Sequence, residues 1–370
     1  MKNRSTEGKR TRCAAGKPKS CKLTVGLDLG DKTSRYCILD CEGEVLVERS
    51  TATTKKGLAQ AFASLGASRI ALEVGTHSPW VKRLLETWNH EIVVANAHRV
   101  KLITASTRKD DRLDARTLAR LARIDPQLLS PIRHRSEKAQ SHLAMIRARA
   151  ALVEARSKLI SSLRGLTKSF GERLPSCDAD QMSVARLAIL TPPLQAALQP
   201  TVSAVESLTC QIREYDHKIA QVARTDYPET ARLRQVTGVG ELIALSFVLT
   251  IDDPHRFRRS RDVGAYLGLR PKRRDSGESR PQLRITKEGD TYLRKLLVQG
   301  AHYILGWRGP DSDLRRWGLK LAAHGGKNAK KRAVIAVARK LAVLLHRLWI
   351  TDEAYEPLRQ SHAATSVVAA

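Results

Sequence analysis

Four acidic residues give this chain its first chemical suggestion: Asp28 in GLDLG, Glu73 in ALEVG, and Asp111 and Asp114 in KDDRLDA. Asp111 and Asp114 are three apart, so on a helix they share a face. Crowded carboxylates repel unless a cation separates them, and oxygen donors with little His or Cys nearby favour Mg²⁺ or Mn²⁺. Two such ions roughly 3.5 to 4 Å apart stabilise both the attacking and the leaving oxygen of an in-line phosphate displacement. Each acid also has an ordinary reading. Asp28 could end a strand, Glu73 could cap a helix beginning near Ser78, and Asp111 or Asp114 could pair with a neighbouring Arg in an acid-favoured first turn.

A second set is basic. Positions 256–295 hold thirteen Lys or Arg against five acids. Among them Arg270, Lys272, Arg273, Arg274, Arg280, Arg284 and Lys287 surround the segment DSGES, where they could clamp a phosphodiester and stabilise developing charge. Ser276 precedes a glycine in that segment. A Ser-Gly pair beside an Asp is ordinarily a turn, and a serine hydroxyl is a weak nucleophile unless a metal or base assists it. Ser279 is the rival hydroxyl. Upstream, VTGVGELIAL places Gly238 and Gly240 in a tight turn between helices, a helix-hairpin-helix pattern whose amides can hold a phosphate.

The elements that must position these residues follow from periodicity. In KLTVGLDLG, Leu23, Val25, Leu27 and Leu29 alternate with Thr24, Gly26, Asp28 and Gly30, which predicts a strand with one packed face and Asp28 on the face of small residues. RYCILD and EVLVERS continue it as a hairpin. A helix over 55–65, a strand RIALEV, a helix over 79–89 and a strand EIVVAN follow, and DDRLDARTLARLARI opens the next helix. Three antiparallel strands and then alternating helix and strand imply an α/β mixed sheet with helices against it. In that order the first strand and the one bearing Glu73 can be neighbours, with the later helix across their ends, so that four carboxylates converge. Past Pro126 and Pro131 the pattern becomes helical. Leu143, Ile146, Ala150, Val153 and Ile160 form one stripe, and Val205, Leu208, Ile212, Tyr215, Ile219 and Val222 a second, which predicts an antiparallel pair or a surface for another protomer. The expected organisation is a basic disordered tail over 1–21, the mixed-sheet domain over 22–128, a helical coiled-coil region over 129–228, a mainly helical domain over 229–350 and a loose tail over 351–370.

Charge bounds the partners. Lys and Arg number 65 against 37 Asp and Glu, a formal net charge of +28, and self-repulsion of that size points to a polyanionic partner, nucleic acid first. The apolar stretch VIAVARKLAVLL is interrupted by Arg339 and Lys340, so no membrane span is expected. The N-terminus is basic without a following apolar run, so no secretory signal is expected and a cytoplasmic, nucleoid-associated protein is. Six cysteines form no CxxC pair and read as reduced thiols. Aromatic residues at 4% are too few for a base-stacking platform of the single-strand-binding kind. No GxxxxGK[ST] segment provides for ATP.

GLDLG, ALEVGTHSPW and KDDRLDA, followed by DSGESRPQLRITKEGD, closely resemble in order and spacing the insertion-sequence transposases of family 110, the DEDD recombinases, over about residues 22–358. The resemblance implies a ribonuclease H-like, RuvC-like N-terminal domain whose acids are Asp28, Glu73, Asp111 and Asp114, with Asp110 a spectator. It also implies a nucleophilic serine in the C-terminal domain, Ser276. The implied reaction is attack by Ser276 on a DNA phosphate, aided by Mg²⁺ held by the acids of the same chain or another protomer, and rejoining to a different strand. Family members work as oligomers on paired DNA ends, so a dimer or tetramer is expected. Several use a structured guide RNA made by the element, which this sequence supports only through its excess positive charge. Two other readings remain open: a resolvase-like metal-dependent nuclease that uses water, with Ser276 a turn residue, and a non-catalytic nucleic-acid-binding protein.

Overall fold

The computed structural model describes residues 22–96, 111–281 and 283–359, and of Asp111, Arg112 and Leu113 the backbone alone. The expectations for the tail over 1–21, for Asp110 and for positions 360–370 lie outside the described residues. Two compact units divide the chain, Met1–His134 and Arg135–Ala370.

The first unit is built on β1 (Thr24–Asp28), β2 (Thr33–Leu39), β3 (Val45–Ala52), β4 (Arg69–Glu73) and β5 (Glu91–Ala95), in the sheet order β3-β2-β1-β4-β5. β1, β2 and β3 pair antiparallel, whereas β4 runs parallel to β1 and β5 parallel to β4. One face carries Val25, Leu27, Ile38, Ile70, Leu72 and Val94. It packs against Leu58 and Phe62 of α1 (Lys55–Phe62) and Val81 and Leu85 of α2 (Ser78–Glu86). The opposite face is covered by α3 (Asp111–Ile124), whose Leu118, Leu121 and Ala122 meet Ala71, Val93 and Ala95. β1 is therefore packed on both faces, with Thr24 through Leu27 all buried, where its alternation predicted one. Small side chains gave no apolar signal on the second face, yet smallness is what admits a helix there.

The second unit is helical. α4 (Glu137–Ser169) and α5 (Pro192–Asp226) pack along each other. Lys138 pairs with Asp226 at 2.8 Å and Arg149 with Asp216 at 2.5 Å, and Arg156 donates to Thr209 at 3.1 Å. As one chain number rises the other falls, so the two helices are antiparallel. α5 starts well before the stripe that predicted it and runs through Pro200. Leu194, Leu198, Val202 and Val205 carry the packing through the proline by burying against Ile160 and Leu163.

Around the far end of this hairpin lie α6 (Glu229–Leu233), α7 (Glu241–Ile251), α8 (Arg261–Tyr266), α9 (Thr291–Leu305), α10 (Asp313–Ala323) and α11 (Ala329–Thr351). α7 is apolar on all sides, as a central helix must be. Phe247 and Val248 join the core made with α9 and α11, while Leu245 and Leu249 pack on Leu143, Ile146 and Ile219. No helix among the described residues is long and apolar enough to cross a membrane. Cys37, Cys177 and Cys210 are free thiols, as expected, but Cys41 is disulfide-bonded, which corrects the expectation for that residue.

Candidate active site and nucleic-acid interface

The parallel ladder of β1 and β4 runs from Thr24 opposite Arg69 to Leu27 opposite Leu72. One step further, Asp28 and Glu73 close the two strands side by side, on the same face because side chains alternate. That is the face α3 covers. Gly26, two residues before Asp28, marks the contact: a Cβ there would collide with the Ala115 carbonyl oxygen and stand 2.6 Å from the Ala119 amide nitrogen. Gly26 is required by close backbone approach, not by an unusual φ.

The direction of α3 follows from its other end. Arg69, at the start of β4, donates from Nη1 to the Ala122 carbonyl at 3.2 Å, and Arg123 donates from Nη2 to the Cys41 carbonyl at 2.8 Å. The helix thus runs antiparallel to β1, and its first turn, with Asp111 and the half-buried Asp114, lies over the strand ends that carry Asp28 and Glu73. Sheet register and one helix crossing bring these acids to one end of the unit.

Asp28 and Glu73 line an open cleft of about 370 Å³ with Asp31, Gly75 and His77. The turn after β4 is closed by Ser78, whose Oγ accepts from the Gly75 amide at 3.0 Å and donates to the Gly75 carbonyl at 2.8 Å. His77 accepts at Nδ1 from the Trp80 indole N–H at 3.1 Å, which leaves Nε2 to donate to Asp31 at 3.3 Å. Asp31 and His77 were missed by the sequence reading. The signal was present in THSPW, because a His three positions before a Trp at a helix start meets it on one face. Arg35 stands opposite Asp28 across the β1/β2 ladder, so a cation flanks the acid by register.

Oxygen donors from two adjacent strand ends and a helix start suit a hard divalent cation. Among the described side chains, no three His, Cys, Asp or Glu stand close enough to form a ready cage; the side chain of Asp111 is not among them. Behind the site, burial pushes the Cys37 thiol up to about 11, and the adjacent Glu48 carboxylate adds to it, so Cys37 is a packing residue.

In the second unit the basic segment forms an exposed ribbon. Lys272 N donates to Arg284 O at 2.9 Å and Thr286 N to Arg270 O at 2.9 Å. At its tip Ser276 and Ser279 exchange backbone bonds at 3.2 and 3.0 Å around Gly277, whose φ is +55°. A two-residue loop with a left-handed glycine first matches the type II′ hairpin, so the turn expected at Ser-Gly is present. Ser276, Arg270, Lys272, Arg273, Arg274, Arg280, Arg284 and Lys287 are all exposed. The ribbon's base is fixed by Arg294, 8% exposed, whose Nη1 donates to Leu267 O at 3.0 Å and Glu288 O at 2.7 Å. Asp290 follows. Burial pushes its carboxyl up, and the Leu293 amide with Arg147 and Arg135 more than offsets this, so its net shift is downward. Arg147 donates to it at 2.8 Å and Arg135 lies at 3.8 Å, which ties the ribbon's base to α4.

Gly238 and Gly240 occupy the turn between α6 and α7. Gly238 has φ +83°, and a Cβ there would stand 2.8 Å from Gly300 O; Gly240 is the N-cap of α7. The turn is as expected, and α9 is pressed against it.

Comparison with known proteins covers both units. Residues 25–170 match a transposase family model of the IS110 DEDD type, and residues 230–315 match the model described as the transposase IS116/IS110/IS902 family. The chain is 28% identical over 345 residues to the transposase for insertion sequence element IS1111A of Coxiella burnetii, with 90% of each chain covered. It is 26% identical over 342 residues to a probable family 20 transposase of Pseudomonas aeruginosa, covering 90% of this chain and 98% of that one. It is 27% identical over 289 residues to the transposase for insertion sequence element IS1328 of Yersinia enterocolitica, covering 76% and 83%. The first model spans the mixed-sheet unit and runs on through α4, and the second covers the Gly238–Gly240 turn and the basic ribbon. The chain belongs to the IS110/IS116/IS902 family of insertion-sequence transposases.

Proposed function

We propose that this transposase cuts and rejoins DNA by serine-based phosphoryl transfer assisted by a divalent cation. The observation that supports this most is the in-register placement of Asp28 and Glu73 beneath the acid-bearing first turn of α3. On this reading 22–128 is a RuvC-like, ribonuclease H-like domain, 129–228 a coiled-coil spacer and 229–350 the serine-bearing domain, with a basic tail before them and a loose tail after.

Asp28, Glu73, Asp111 and Asp114 would hold Mg²⁺ or Mn²⁺, which when bound neutralises phosphate charge and favours ionisation of an attacking oxygen. The Ser276 Oγ forms a bond to phosphorus, its proton passes to a base, and the departing DNA oxygen takes up a proton to become a free hydroxyl. Attack by the hydroxyl of another strand reverses the link and restores the serine. Arg270, Lys272, Arg273, Arg274, Arg280, Arg284 and Lys287 hold phosphates, and the Gly238–Gly240 turn offers amides to one more. Work on paired DNA ends calls for a homo-oligomer, a dimer or tetramer, in the nucleoid. The surplus charge also suits a structured guide RNA.

A denaturing gel with labelled DNA tests the chemistry. The expected result is a covalent protein–DNA adduct that Ser276→Ala abolishes and Ser279→Ala keeps, with Asp28→Asn losing strand cleavage by about a hundredfold or more while binding is retained. Hydrolysed ends without an adduct would instead favour water as nucleophile, with Ser276 a turn residue. Absence of strand cleavage in the wild type, with DNA binding unchanged by Asp28→Asn, would leave only a nucleic-acid-binding role. Sequencing co-purified nucleic acid reads the RNA: one abundant discrete species is expected.

A further inference from the structure

Trp307 is 84% exposed at the end of α9, the largest exposure among the exposed large hydrophobic residues described. An indole exposed to that degree offers a large aromatic face to a partner. The segment that presents it is rigid. Gly306 N donates to His302 O at 2.8 Å and Gly309 N to Gly306 O at 3.2 Å. Arg315 reaches in from α10 and donates from Nη1 to both Ile304 O and Gly306 O at 2.5 Å. A Cβ on Gly309 would collide with Ile304 O, so the loop is drawn tightly against the helix end. The backbone that carries Trp307 is thus held in place.

Its neighbours indicate what it meets. The Arg308 guanidinium lies 4.4 Å from the Trp307 ring centroid. Tyr303, 49% exposed, is one turn back on α9 and borders the Gly238 turn, 3.5 Å from where a Cβ would stand. Lys295, Gln299 and His302 are exposed along the same helix. From Thr291 to Pro310 there is no acidic residue. An exposed aromatic face with a cation stacked on it, whose next acid in sequence, Asp311, is already paired with Arg316 at 2.5 Å, complements a nucleotide: the base stacks on the ring and the phosphate pairs with the guanidinium.

We propose that Trp307 and Arg308, with Tyr303 beside them, form a stacking site for an unpaired DNA nucleotide, of the kind exposed at a cut end or branch. The site rests on DNA as the substrate class of this transposase and not on the serine or metal chemistry. It also bears on aromatic content: a low total says nothing against a single aromatic side chain placed where a base can reach it.

The test uses the full chain and two labelled DNAs of the same sequence, a blunt duplex and one with a short single-stranded overhang, with fluorescence anisotropy as the readout. Trp307→Ala is expected to weaken overhang binding roughly tenfold and leave blunt-duplex binding within about twofold, while Trp307→Phe keeps most of the preference. Overhang DNA should also quench tryptophan emission in the wild type and much less in Trp307→Phe. The proposal is overturned by equal effects on both DNAs, by no effect on either, or by loss confined to a matching RNA overhang. A change in oligomeric mass in Trp307→Ala with DNA affinities unchanged also overturns it, because the ring would then cover another copy of the chain. Blunt-duplex binding and adduct formation are read in the same variants, so failure of the stacking site is separable from failure of the serine mechanism.

Discussion

The acidic end of the sheet and the basic ribbon assemble their residues by opposite routes. Asp28 and Glu73 are far apart in the chain and become neighbours because β1 and β4 pair in one register, and α3, crossing over Gly26, brings Asp114 to the same end of the unit. The cations from Arg270 to Lys287 are already neighbours in sequence, and the structure only lifts them into solvent on a hairpin tipped by Gly277. The first arrangement depends on interior packing and should fail as a unit when packing fails. The second is a local device on an exposed ribbon, where changes should alter affinity and leave folding alone. Metal ligands need mutual placement to a fraction of an ångström, whereas phosphate contacts tolerate long, adaptable side chains.

The sharpest way to break this contrast is at Gly26. Gly26→Ala is expected to cost about 3 kcal/mol, because the backbone of α3 has no flexible atom to yield, and to lower strand cleavage with it. Urea unfolding measures this, and a loss under about 0.5 kcal/mol would mean that α3 does not rest on β1 as described.

Asp290 comes next, at the ribbon's base, where its side chain is only 6% exposed. Asp290→Ala removes the N-cap bond to Leu293 and the partner of Arg147, for about 2 kcal/mol after allowing for the exposure of Arg147. Because the folded carboxyl lies below the ordinary aspartate value, its stabilisation is fully present above that value and is lost as pH falls through the lowered one. Acid unfolding of the wild type should therefore show a component that Asp290→Ala lacks, and identical acid profiles would remove this linkage.

The smallest effects on stability belong to the ribbon tip. Arg273→Ala combined with Arg274→Ala should shift unfolding by less than about 0.5 kcal/mol, yet reduce the salt dependence of duplex binding by about two counterions. An unchanged salt slope would take these cations out of the phosphate interface. Cys37 offers a control for the packed region: its thiol, raised to about 11 by burial, should stay unlabelled by a thiol reagent at neutral pH while the exposed Cys210 reacts.

Much of the first unit was legible in the sequence because strands and amphipathic helices announce themselves by period. TVGLD, RIALE and EIVVA are strands where alternation and apolar runs predicted them. What periodicity could not reveal was a function for smallness. Thr24 and Gly26 look like an unpacked face until α3 is laid against them. Pro200 was equally opaque, since a proline reads as a boundary unless burial on both sides carries the helix through it. Arg294 and Arg315 look like two more surface cations, yet each is turned onto backbone carbonyls to fix a loop. His77 was readable in principle, through its spacing from Trp80.

By itself the chain determined which residue types are present and in what order: hard oxygen donors early, a dense basic segment with a Ser-Gly turn late, and a charge that calls for a polyanion. Local preference suffices for these, because composition, turns and helix starts depend on residues a few positions apart. Only the tertiary structure decided that Asp28 and Glu73 end side by side, that the first turn of α3 faces them, and that Trp307 is held outward on a clamped loop. Those outcomes depend on register, helix direction and close backbone approach, which are set by contacts between residues distant in sequence.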